Sequence, residues 1–514
     1  MTSTNVNQPD QGAALGFLDE KVSSGAAKRI DTHASIVFLE PNRVLKIKRA
    51  VRLPFLDYST LEKRKRACED ELAINQRYAP RLYRHVVPIT HGARGFQVGG
   101  DGPAIEWAVE MARFDENKTL DHLARDGGLP PSLAEAVAGV MYEAHRRAET
   151  SDGSTWLASI ALIIDRNIEK FREQASLRPA AVERLHEQSH RQLDMTRRLL
   201  RERASAGLVR RCHGDAHLGN ITLIDDKPVL FDAIEFDPVI ATTDVLYDLA
   251  FPIMDLVHFG LNEAANRLFN TYLEKTWQEN GSALQLLPLF LSIRAAIRSN
   301  VLFTKCEQSS NDKHDVVEAK SYFDLALQLL KPALPSLIAI GGKSGTGKSV
   351  LARDAAALVG TPPGAVILRS DVIRKELFSV DPLVSWPAAA YVPEVTGRVY
   401  RTLNERARQV FAQGYSVIID AAFLRQAERD ELTNEAARIG ADFRPIFLTA
   451  DLGVRLDRVA SRRHDASDAT REVASGQEDY DIGRLDWPLV DASCSPLQTL
   501  KQSMTFLLQR SERG

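Results

Sequence analysis

The apolar pattern near the N-terminus predicts a small lobe made mostly of β-strands. Two apolar runs, at 36–39 and 44–47, flank the turn residues Pro-Asn at 41–42, which is typical of a β-hairpin. The Ser-Thr-Leu-Glu sequence that opens residues 59–76 has capping-box spacing and predicts a charged helix there. A further strand is predicted over 105–111.

The pattern changes twice along the rest of the chain. Residues 115–210 are helical in character, and a loop and hairpin region at 212–238 precedes further helices. The sequence Lys-Pro-Ala-Leu-Pro at 331–335 cannot continue a helix and is the predicted linker. Beyond it, apolar runs alternate with helical stretches, which indicates βαβ units around a parallel sheet. These runs are 337–340, 366–368, 417–419 and 446–448.

These patterns predict two domains. The first 25 residues are polar and without apolar period, so we expect a flexible arm there. The predicted segments are an arm (1–25), a β-rich N-lobe (26–112), a helical C-lobe (113–330), a linker (331–335) and an α/β domain (336–514).

Composition narrows the class of protein. The 514 residues are 44% hydrophobic and 26% charged, which excludes a disordered chain, a collagen and a coiled-coil rod. The net charge of −3 gives no general attraction to nucleic acid or to anionic membranes. Four dispersed cysteines form no C-x-x-C pair and indicate neither a zinc site nor a disulfide framework. With no signal peptide and no apolar run near 18 residues, we expect a cytoplasmic protein without a membrane anchor.

The strongest local motif is a phosphate-binding loop of the form G-x-x-x-x-G-K-S between a predicted strand and a predicted helix. Its glycines let backbone N–H groups approach phosphate oxygens, and the helix N-terminus adds positive charge. We expect Lys348 to reach the β- and γ-phosphates and Ser349 to bind Mg²⁺. A glycine-rich turn without a ligand is the alternative. The eight predicted ATP-binding residues are Gly342, Lys343, Ser344, Gly345, Thr346, Gly347, Lys348 and Ser349.

Charged residues follow the next strands of the same domain. Asp371 and Arg374 begin a helix after the second strand, where the carboxylate is placed to accept a hydroxyl proton and the arginine to bind phosphate or acceptor. A helix N-cap is the alternative for Asp371. Asp420 ends the next strand and is a predicted Mg²⁺ or water-positioning residue. Further on, arginines at 455, 458, 462 and 463 predict either a lid over the phosphates or a solvated face.

Residues 336–514 resemble small P-loop kinases that carry Asp-x-x-Arg after the second strand. These include gluconate-kinase-like enzymes, zeta-toxin-like kinases and the kinase domain of polynucleotide kinase. The resemblance implies that Asp371 is the base toward the acceptor hydroxyl and that a lid arginine, Arg462, contacts the nucleotide. It implies phosphoryl transfer without naming the acceptor.

A second set of motifs lies upstream, around the sequence His-Gly-Asp-Ala-His-Leu-Gly-Asn at 213–220. Asp215 is a predicted base, and Asn220 and Asp232, either side of a predicted hairpin, are predicted Mg²⁺ ligands. For His213 and His217, one interpretation is that they are ordinary buried or capping histidines. The alternative is that they bind a metal ion together with Asp215, which would be a rival to the kinase interpretation of this loop. Further predicted ATP-binding residues are Lys46 and Lys48 on one strand face, Glu71 on the next helix, and Glu110 and Met111 at an adenine hinge.

Residues 25–330 resemble the aminoglycoside-phosphotransferase-like family, which has a bilobal α+β protein-kinase-like fold. The resemblance implies that Asp215 is the catalytic base, that Asn220 and Asp232 bind Mg²⁺, and that Lys46 or Lys48 contacts the triphosphate. Asp244 and Asp248 resemble that family's acidic helix start, where capping is expected. Two features depart from the kinase pattern. Residues 31–35 stand where a glycine-rich loop would precede the lysine strand, and Asp232 is followed by Ala-Ile instead of the Phe-Gly of protein kinases.

The order of the two domains resembles bacterial fusions described as bifunctional aminoglycoside phosphotransferase/ATP-binding proteins. The hypothesis is therefore a bifunctional ATP- and Mg²⁺-dependent kinase that acts on small hydroxylated metabolites such as a sugar, aminocyclitol or nucleoside. Two alternatives remain for the P-loop domain: a polynucleotide 5′-hydroxyl kinase, which would make nucleic acid a partner, or an ATP-binding regulatory module. The sequence leaves a homo-oligomer open.

Overall fold

The protein is described here by a computed structural model that covers residues 11–32, 34–53, 56–308, 313–380, 392–461 and 467–508. Its strands, in chain order, are β1 (Lys28–Asp31), β2 (Ser35–Leu39), β3 (Arg43–Lys48), β4 (Arg52–Leu53), β5 (Leu56–Asp57), β6 (Tyr83–Gly92), β7 (Gly95–Val98), β8 (Ala104–Ala112), β9 (Val209–Arg211), β10 (Ile221–Ile224), β11 (Lys227–Leu230), β12 (Thr242–Asp244), β13 (Ser336–Gly342), β14 (Val366–Arg369), β15 (Val417–Asp420), β16 (Asp442–Thr449) and β17 (Leu489–Asp491).

Helices fill most of the remaining described chain. They are α1 (Gln11–Ser23), α2 (Leu61–Asn75), α3 (Leu120–Arg125), α4 (Pro131–Arg147), α5 (Ser154–Arg172), α6 (Pro179–Ser205), α7 (Pro238–Ala241), α8 (Val245–His258), α9 (Asn262–Lys275), α10 (Trp277–Asn280), α11 (Leu287–Gln308), α12 (Lys313–Leu329), α13 (Lys348–Ala356), α14 (Ser370–Glu376), α15 (Pro393–Ala412), α16 (Gln426–Arg438), α17 (Leu452–Ser461), α18 (Arg471–Gly476) and α19 (Pro496–Leu508). They group with the strands into two compact units.

The first unit, formed by Met1–Leu129, Gly139–Ile160 and Leu200–Pro252, contains a six-stranded antiparallel sheet. Its strand order is β1-β2-β3-β8-β6-β7. The predicted hairpin is present as β2 and β3, and helix α2 follows it with the Thr60 side chain accepting a hydrogen bond from the Lys63 N–H. The N-cap is therefore Thr60, one residue later than Ser59, where the predicted capping box begins. A separate hairpin, β10–β11, carries the chain from Asn220 to Asp232.

The expected flexible arm is wrong for residues 11–23, which form α1. Ala14 and Leu18, one helical turn apart, are fully buried against Ile36, Phe38 and other sheet residues. Gln11 also donates hydrogen bonds to the Lys48 backbone and to the Glu106 carboxylate. Leu15, Phe17 and Val22 of this helix also pack partly against the same cluster. The apolar residues at 14, 15, 18 and 22, which have helical spacing, were therefore the available signal.

The second unit, formed by Pro130–Ala138, Ala161–Leu199 and Ile253–Gly514, contains the predicted parallel sheet. Its strand order is β14-β15-β13-β16-β17, with every pair parallel. The central strand β13 is completely buried, and Ile338 and Ile340 pack against Leu351 and Ala355 of α13. The carboxyl end of β13 therefore lies between two neighbouring strands, where such sheets bind ligands. The predicted linker, 331–335, contains neither helix nor strand.

Side-chain amides from α9 cover the edge strand β14 in this unit. The Asn270 Oδ1 accepts the Ile367 N–H at 2.8 Å, and its Nδ2 donates to the Ala365 carbonyl at 3.1 Å. Asn266 donates to the same Ala365 carbonyl at 3.1 Å. The two amides satisfy backbone groups that a neighbouring strand would otherwise pair, and they block edge-to-edge association.

One stretch of the described chain, Leu284–Glu307, is long and apolar enough to cross a membrane, although the sequence analysis expected none. Within it, 78% of the most apolar window is buried inside the structure. Such burial is what a core helix of a soluble domain requires.

Candidate active sites

Two lysines of β3 and one glutamate of α2 form the centre of the first site. The Lys46 Nζ lies 2.8 Å from Glu71 Oε1 and 2.5 Å from Asp232 Oδ1. The Lys48 Nζ lies 2.6 Å from Glu71 Oε2 and also pairs with Glu235. Both lysines thus point to one face of the sheet, as their spacing predicts.

Burial and charge act against each other in this cluster. Glu71 is completely buried, which by itself raises the pKa of its carboxyl, but Lys46 and Lys48 bring the pKa below its usual value. Burial lowers the pKa of Lys46, yet Asp232 and Glu71 raise it well above the ordinary lysine value. Lys46 and Glu71 are therefore ionised at neutral pH. Lys46 is the more exposed lysine and the one that contacts a predicted metal ligand, so it is the better placed for a triphosphate.

The segment after Asp232 is held by residues that the sequence analysis missed. Asp232 has a left-handed backbone (φ 61°), and its N–H donates to the Tyr83 hydroxyl at 3.1 Å. The Ala233 N–H donates to the Asn75 side chain at 2.8 Å. Glu235 reaches Lys48 from the same segment. These partners are distant in sequence, and no local motif marks them.

The predicted catalytic loop brings Asp215 and Asn220 together. The Asn220 Nδ2 donates to the backbone carbonyl of Asp215 at 2.9 Å and to its Oδ2 at 3.1 Å. The Gly214 N–H donates to Asp248 Oδ1 at 2.8 Å, which ties the loop to helix α8. The predicted capping role is therefore wrong for Asp248. It is right for Asp244, whose Oδ1 accepts the Leu246 N–H at 2.8 Å.

The two histidines of this loop are structural. The His213 Nε2 donates to the Phe231 carbonyl at 3.0 Å, and burial lowers the pKa of its ring. The His217 Nδ1 accepts the Gly219 N–H at 3.0 Å and caps a short 3₁₀ turn. Among the described residues, the rival metal site of His213, Asp215 and His217 does not form. Both His213 nitrogens bond to backbone groups, and only the His217 Nε2 faces Asp215, 3.6 Å from its Oδ2.

The predicted hinge residues lie among the last three residues of β8, at the end of the strand as expected. Glu110 accepts hydrogen bonds from Arg43 at 3.1 Å and Arg84 at 3.4 Å. Met111 is buried in an apolar cluster that Phe114 and Phe231 join. Since Phe231 immediately precedes Asp232, this cluster offers an apolar surface next to the predicted metal ligand. The adenine contact of Glu110 and Met111 stays a prediction.

The P-loop has the backbone that its glycines allow. Gly342, Gly345 and Gly347 all have positive φ, of 142°, 84° and 95°. A Cβ at Gly345 would lie 2.6 Å from the Arg455 carbonyl oxygen, so only glycine fits there. The Lys348 Nζ donates to the carbonyls of Gly342 at 2.8 Å and Lys343 at 3.1 Å, across the mouth of the loop. Its cation is therefore already placed beside the loop amides.

The remaining loop side chains hold its shape. The Thr346 hydroxyl donates to the Lys343 carbonyl at 2.8 Å, and the Lys343 Nζ lies 3.0 Å from Glu478. The Ser344 N–H donates to the Gln477 side chain at 2.7 Å. Residues 477–478 are thus further parts of the loop's support that sequence reasoning missed.

The predicted magnesium ligands meet at the ends of β13 and β15. The Ser349 hydroxyl donates to Asp420 Oδ2 at 2.6 Å, and Asp420 is nearly buried. A hydroxyl beside a carboxylate is an oxygen donor set that suits Mg²⁺. Arg369, which the sequence analysis did not select, has its Nε 3.3 Å from the same Asp420 oxygen. Arg369 is the last residue of β14 and pairs in register with Asp420, the last residue of β15. This position at the end of a strand could have identified it as a site residue.

Asp371 and Arg374 start helix α14, as expected, but Arg369 and not Asp371 is the N-cap. Burial raises the pKa of Asp371, and Arg369 partly opposes that rise. Arg374 is buried and donates to the Thr396 hydroxyl at 3.3 Å. The adjacent Lys375 forms a buried ion pair with Asp468 at 3.1 Å, another contact that the sequence did not indicate.

The described arginines of α17 are neither a free lid nor a solvated face. Arg455 is buried and donates to the Ser344 carbonyl at 2.9 Å and to the Ala474 carbonyl at 2.8 Å. The Arg458 Nη2 donates to the Cys494 carbonyl at 2.8 Å. Arg455 therefore supports the P-loop from behind. The predicted nucleotide contact of Arg462 lies outside the described residues.

Two family models match separate parts of the chain. Residues 42–280 match the model of the "Phosphotransferase enzyme family", and residues 337–480 match that of an "AAA domain". Two mycobacterial relatives, uncharacterized protein Mb2027c of Mycobacterium bovis and uncharacterized protein Rv2004c of Mycobacterium tuberculosis, are each 26% identical over 475 residues. Each alignment covers 89% of this chain and 91% of the relative.

Two solved structures each resemble part of the chain. A gluconokinase from Sinorhizobium meliloti is 20% identical and covers 34% of this chain and 93% of its own, with a TM-score of 0.26. A choline/ethanolamine kinase family protein from Mesorhizobium loti is 11% identical and covers 62% of this chain and 99% of its own, with a TM-score of 0.36. The family matches confirm the expected fold class, a kinase-like domain followed by an α/β P-loop domain. The chain is an ATP-dependent kinase that joins a phosphotransferase-family domain to a P-loop kinase domain.

Proposed function

We propose that the chain carries two phosphoryl-transfer sites, each moving the γ-phosphoryl group of ATP to a hydroxyl group of a small acceptor. One observation carries the proposal: each domain combines a lysine, two oxygen ligands for Mg²⁺ and a separate carboxylate. The first domain contributes Lys46, Asn220, Asp232 and Asp215, and the second contributes Lys348, Ser349, Asp420 and Asp371.

The proposed chemistry is the same in both sites. Mg²⁺ would offset the negative charge that develops on the transferred phosphoryl group. Asp215 or Asp371 accepts the acceptor's hydroxyl proton, the freed oxygen bonds to the γ-phosphorus, and ADP leaves with the bridging oxygen. The raised pKa of Asp371 makes its carboxylate a stronger base for this step.

We infer a small-molecule acceptor and a cytoplasmic location. The net charge of −3 gives no field that would collect a polyanion, which argues against nucleic acid as the main substrate. The four cysteines are free, and three of them are buried, which suits a reducing compartment.

The test is transfer of label from γ-labelled ATP in the presence of Mg²⁺. The acceptor panel holds sugars, aminocyclitols, nucleosides and short 5′-hydroxyl RNA, and the proteins are the wild type, Asp215→Asn, Asp371→Asn and the double variant. We expect two labelled products, each lost in one single variant, and no product from the double variant. One product only, or two products lost together, would contradict two independent sites.

A regulatory role for the P-loop domain is the second candidate, and one observation favours it. The Arg369 Nε lies 3.3 Å from Asp420 Oδ2, so this cation occupies a side of the carboxylate that a metal ion would use. If Arg369 stays there with nucleotide bound, the domain holds ATP without transferring it. Binding of ATP by the P-loop domain with no label on any acceptor would support this role, and labelled RNA would support a polynucleotide kinase.

A further inference from the structure

Helices α5 and α6 carry a cluster of side chains of metal-ligating types that neither kinase site uses. His186 and His190 are four residues apart on α6 and therefore lie on one face of the helix. Asp165 of α5 faces them, and the three ligand atoms all lie within 4.8 Å of one another. We propose that Asp165, His186 and His190 form a binding site for a divalent transition-metal ion of the zinc class.

The distances suit a small ion. The Asp165 Oδ1 lies 2.8 Å from the His190 Nε2 and 3.6 Å from the His186 Nε2. Two ligands at about 2.0–2.1 Å from a tetrahedral zinc ion are about 3.3–3.4 Å apart. The observed distances fall on either side of that value, so small side-chain rotations bring the cluster to the required geometry.

The second ring nitrogen of His186 also has a suitable partner. The His186 Nδ1 lies 3.9 Å from Glu183 Oε2 while the Nε2 faces Asp165, so a small rotation would let Glu183 accept the Nδ1–H. Glu183 is itself held by Arg172 through two hydrogen bonds of 2.8 Å, one to each carboxylate oxygen. A carboxylate behind a ligating histidine is the arrangement that orients imidazole in metal sites.

The two helices hold the ligands at a fixed separation. On the core side of the cluster, Ile164 and Ile168 of α5 line a small cavity together with Leu185 and Ser189 of α6. The Arg172–Glu183 pair joins the same helices on the surface. A bound ion would therefore add a third connection between α5 and α6.

The ligand chemistry separates this ion from the Mg²⁺ of the kinase sites. Two imidazole nitrogens and one carboxylate suit Zn²⁺, Cu²⁺ or Ni²⁺, whereas Mg²⁺ prefers oxygen ligands. The three side chains are 29–45% exposed, so an ion can enter from solvent. Three protein ligands leave a fourth position for water.

Calorimetry with Zn²⁺ on chelator-stripped full-length protein, repeated in the presence of excess Mg²⁺, tests the site. We expect one Zn²⁺ per chain that Mg²⁺ does not displace, and a visible spectrum of four-coordinate Co²⁺ when cobalt replaces zinc. His190→Gln and Asp165→Asn should each lower the affinity by at least about a hundredfold, and Glu183→Gln by about tenfold. Bound Zn²⁺ should also raise the ratio of folded to unfolded protein by the factor 1 + [Zn²⁺]/Kd.

His85→Gln is the matched control, because His85 is an exposed histidine 3.8 Å from the Glu110 carboxylate without a second histidine in that pair. It should bind Zn²⁺ as the wild type does. Equal zinc affinity in the wild type, His190→Gln and Asp165→Asn would overturn the proposal, as would the absence of stoichiometric binding by the wild type. The phosphoryl-transfer assay does not enter this test, so its outcome is independent of the proposed function.

Discussion

The two sites of this chain are built in opposite ways. The P-loop site takes its phosphate-binding residues from eight consecutive positions, and its shape depends on glycine backbones and on Lys348 bonded to loop carbonyls. The phosphotransferase-family site joins Lys46 directly to Asp232, 186 positions away, and Lys46 also pairs with the buried Glu71. The P-loop site depends on the space around its glycine residues, whereas the phosphotransferase-family site depends on the balance of its buried charges. Different kinds of substitution should therefore damage the two sites.

The largest expected effect is on transfer by the first domain. Asp215→Asn keeps the size of the side chain and the neighbouring Asn220, but removes the proton acceptor. We expect its rate of phosphoryl transfer to fall by about 10²–10⁴-fold with little change in nucleotide affinity. Product formation and equilibrium ATP binding are measured on the same protein. An equal fall in affinity would mean that Asp215 serves binding rather than proton transfer.

The next effect distinguishes the two lysines of β3. Lys48→Met leaves Glu235 and part of Glu71 without their buried cation, which should lower the free energy of unfolding by about 3–5 kcal/mol. Lys46→Met should lower stability less, since Asp232, its partner besides Glu71, is 41% exposed, but should lower the rate of transfer by the first domain. Urea unfolding and product formation measure the two losses. If Lys48→Met proved stable and inactive, Lys48 would be the nucleotide-binding lysine.

A volume change should damage only the P-loop site. Gly345→Ala places a Cβ 2.6 Å from the Arg455 carbonyl at a φ of 84°, which should cost about 1–3 kcal/mol and distort the loop amides. We expect loss of nucleotide binding by the second domain and normal transfer by the first. Gly397→Ala in α15 is the control, because no atom lies within 4 Å of its added Cβ. If both variants bound nucleotide normally, the close contact at Gly345 would be unimportant.

The contrast also explains what the sequence could predict. The P-loop and its flanking strand and helix are contiguous, so a local pattern was sufficient, and Ser349 and Asp420 do meet. Some of the kinase-like motifs were recognised, because each motif is short and the motifs follow one another in a characteristic order along the chain. Asp248 was misassigned because its partner, the Gly214 N–H, is 34 residues away and leaves no trace in the local pattern.

Arginine and amide side chains were the least predictable. An arginine-rich helix has the same pattern whether its side chains bind phosphate, solvent or, as Arg455 does, backbone carbonyls. Asn270 lies on an ordinary amphipathic helix, and its partners, Ala365 just before β14 and Ile367 within it, are 95 and 97 residues away. Such contacts depend on how elements pack and not on local propensity.

The smallest expected effect concerns this amide support of the P-loop sheet. Asn270→Ala leaves the Ile367 N–H without its acceptor, while Asn266 still donates to Ala365, so we expect a loss of about 1–3 kcal/mol. Because β14 carries Arg369 and leads to Asp371, activity of the second domain should be lost at lower urea concentration than in the wild type. Asn404→Ala, which removes only a 3.4 Å contact to Glu431, should change stability by less than about 0.5 kcal/mol. Equal unfolding of the two variants would show that solvent replaces the Asn270 bonds at no cost, and that the P-loop sheet needs no support from α9.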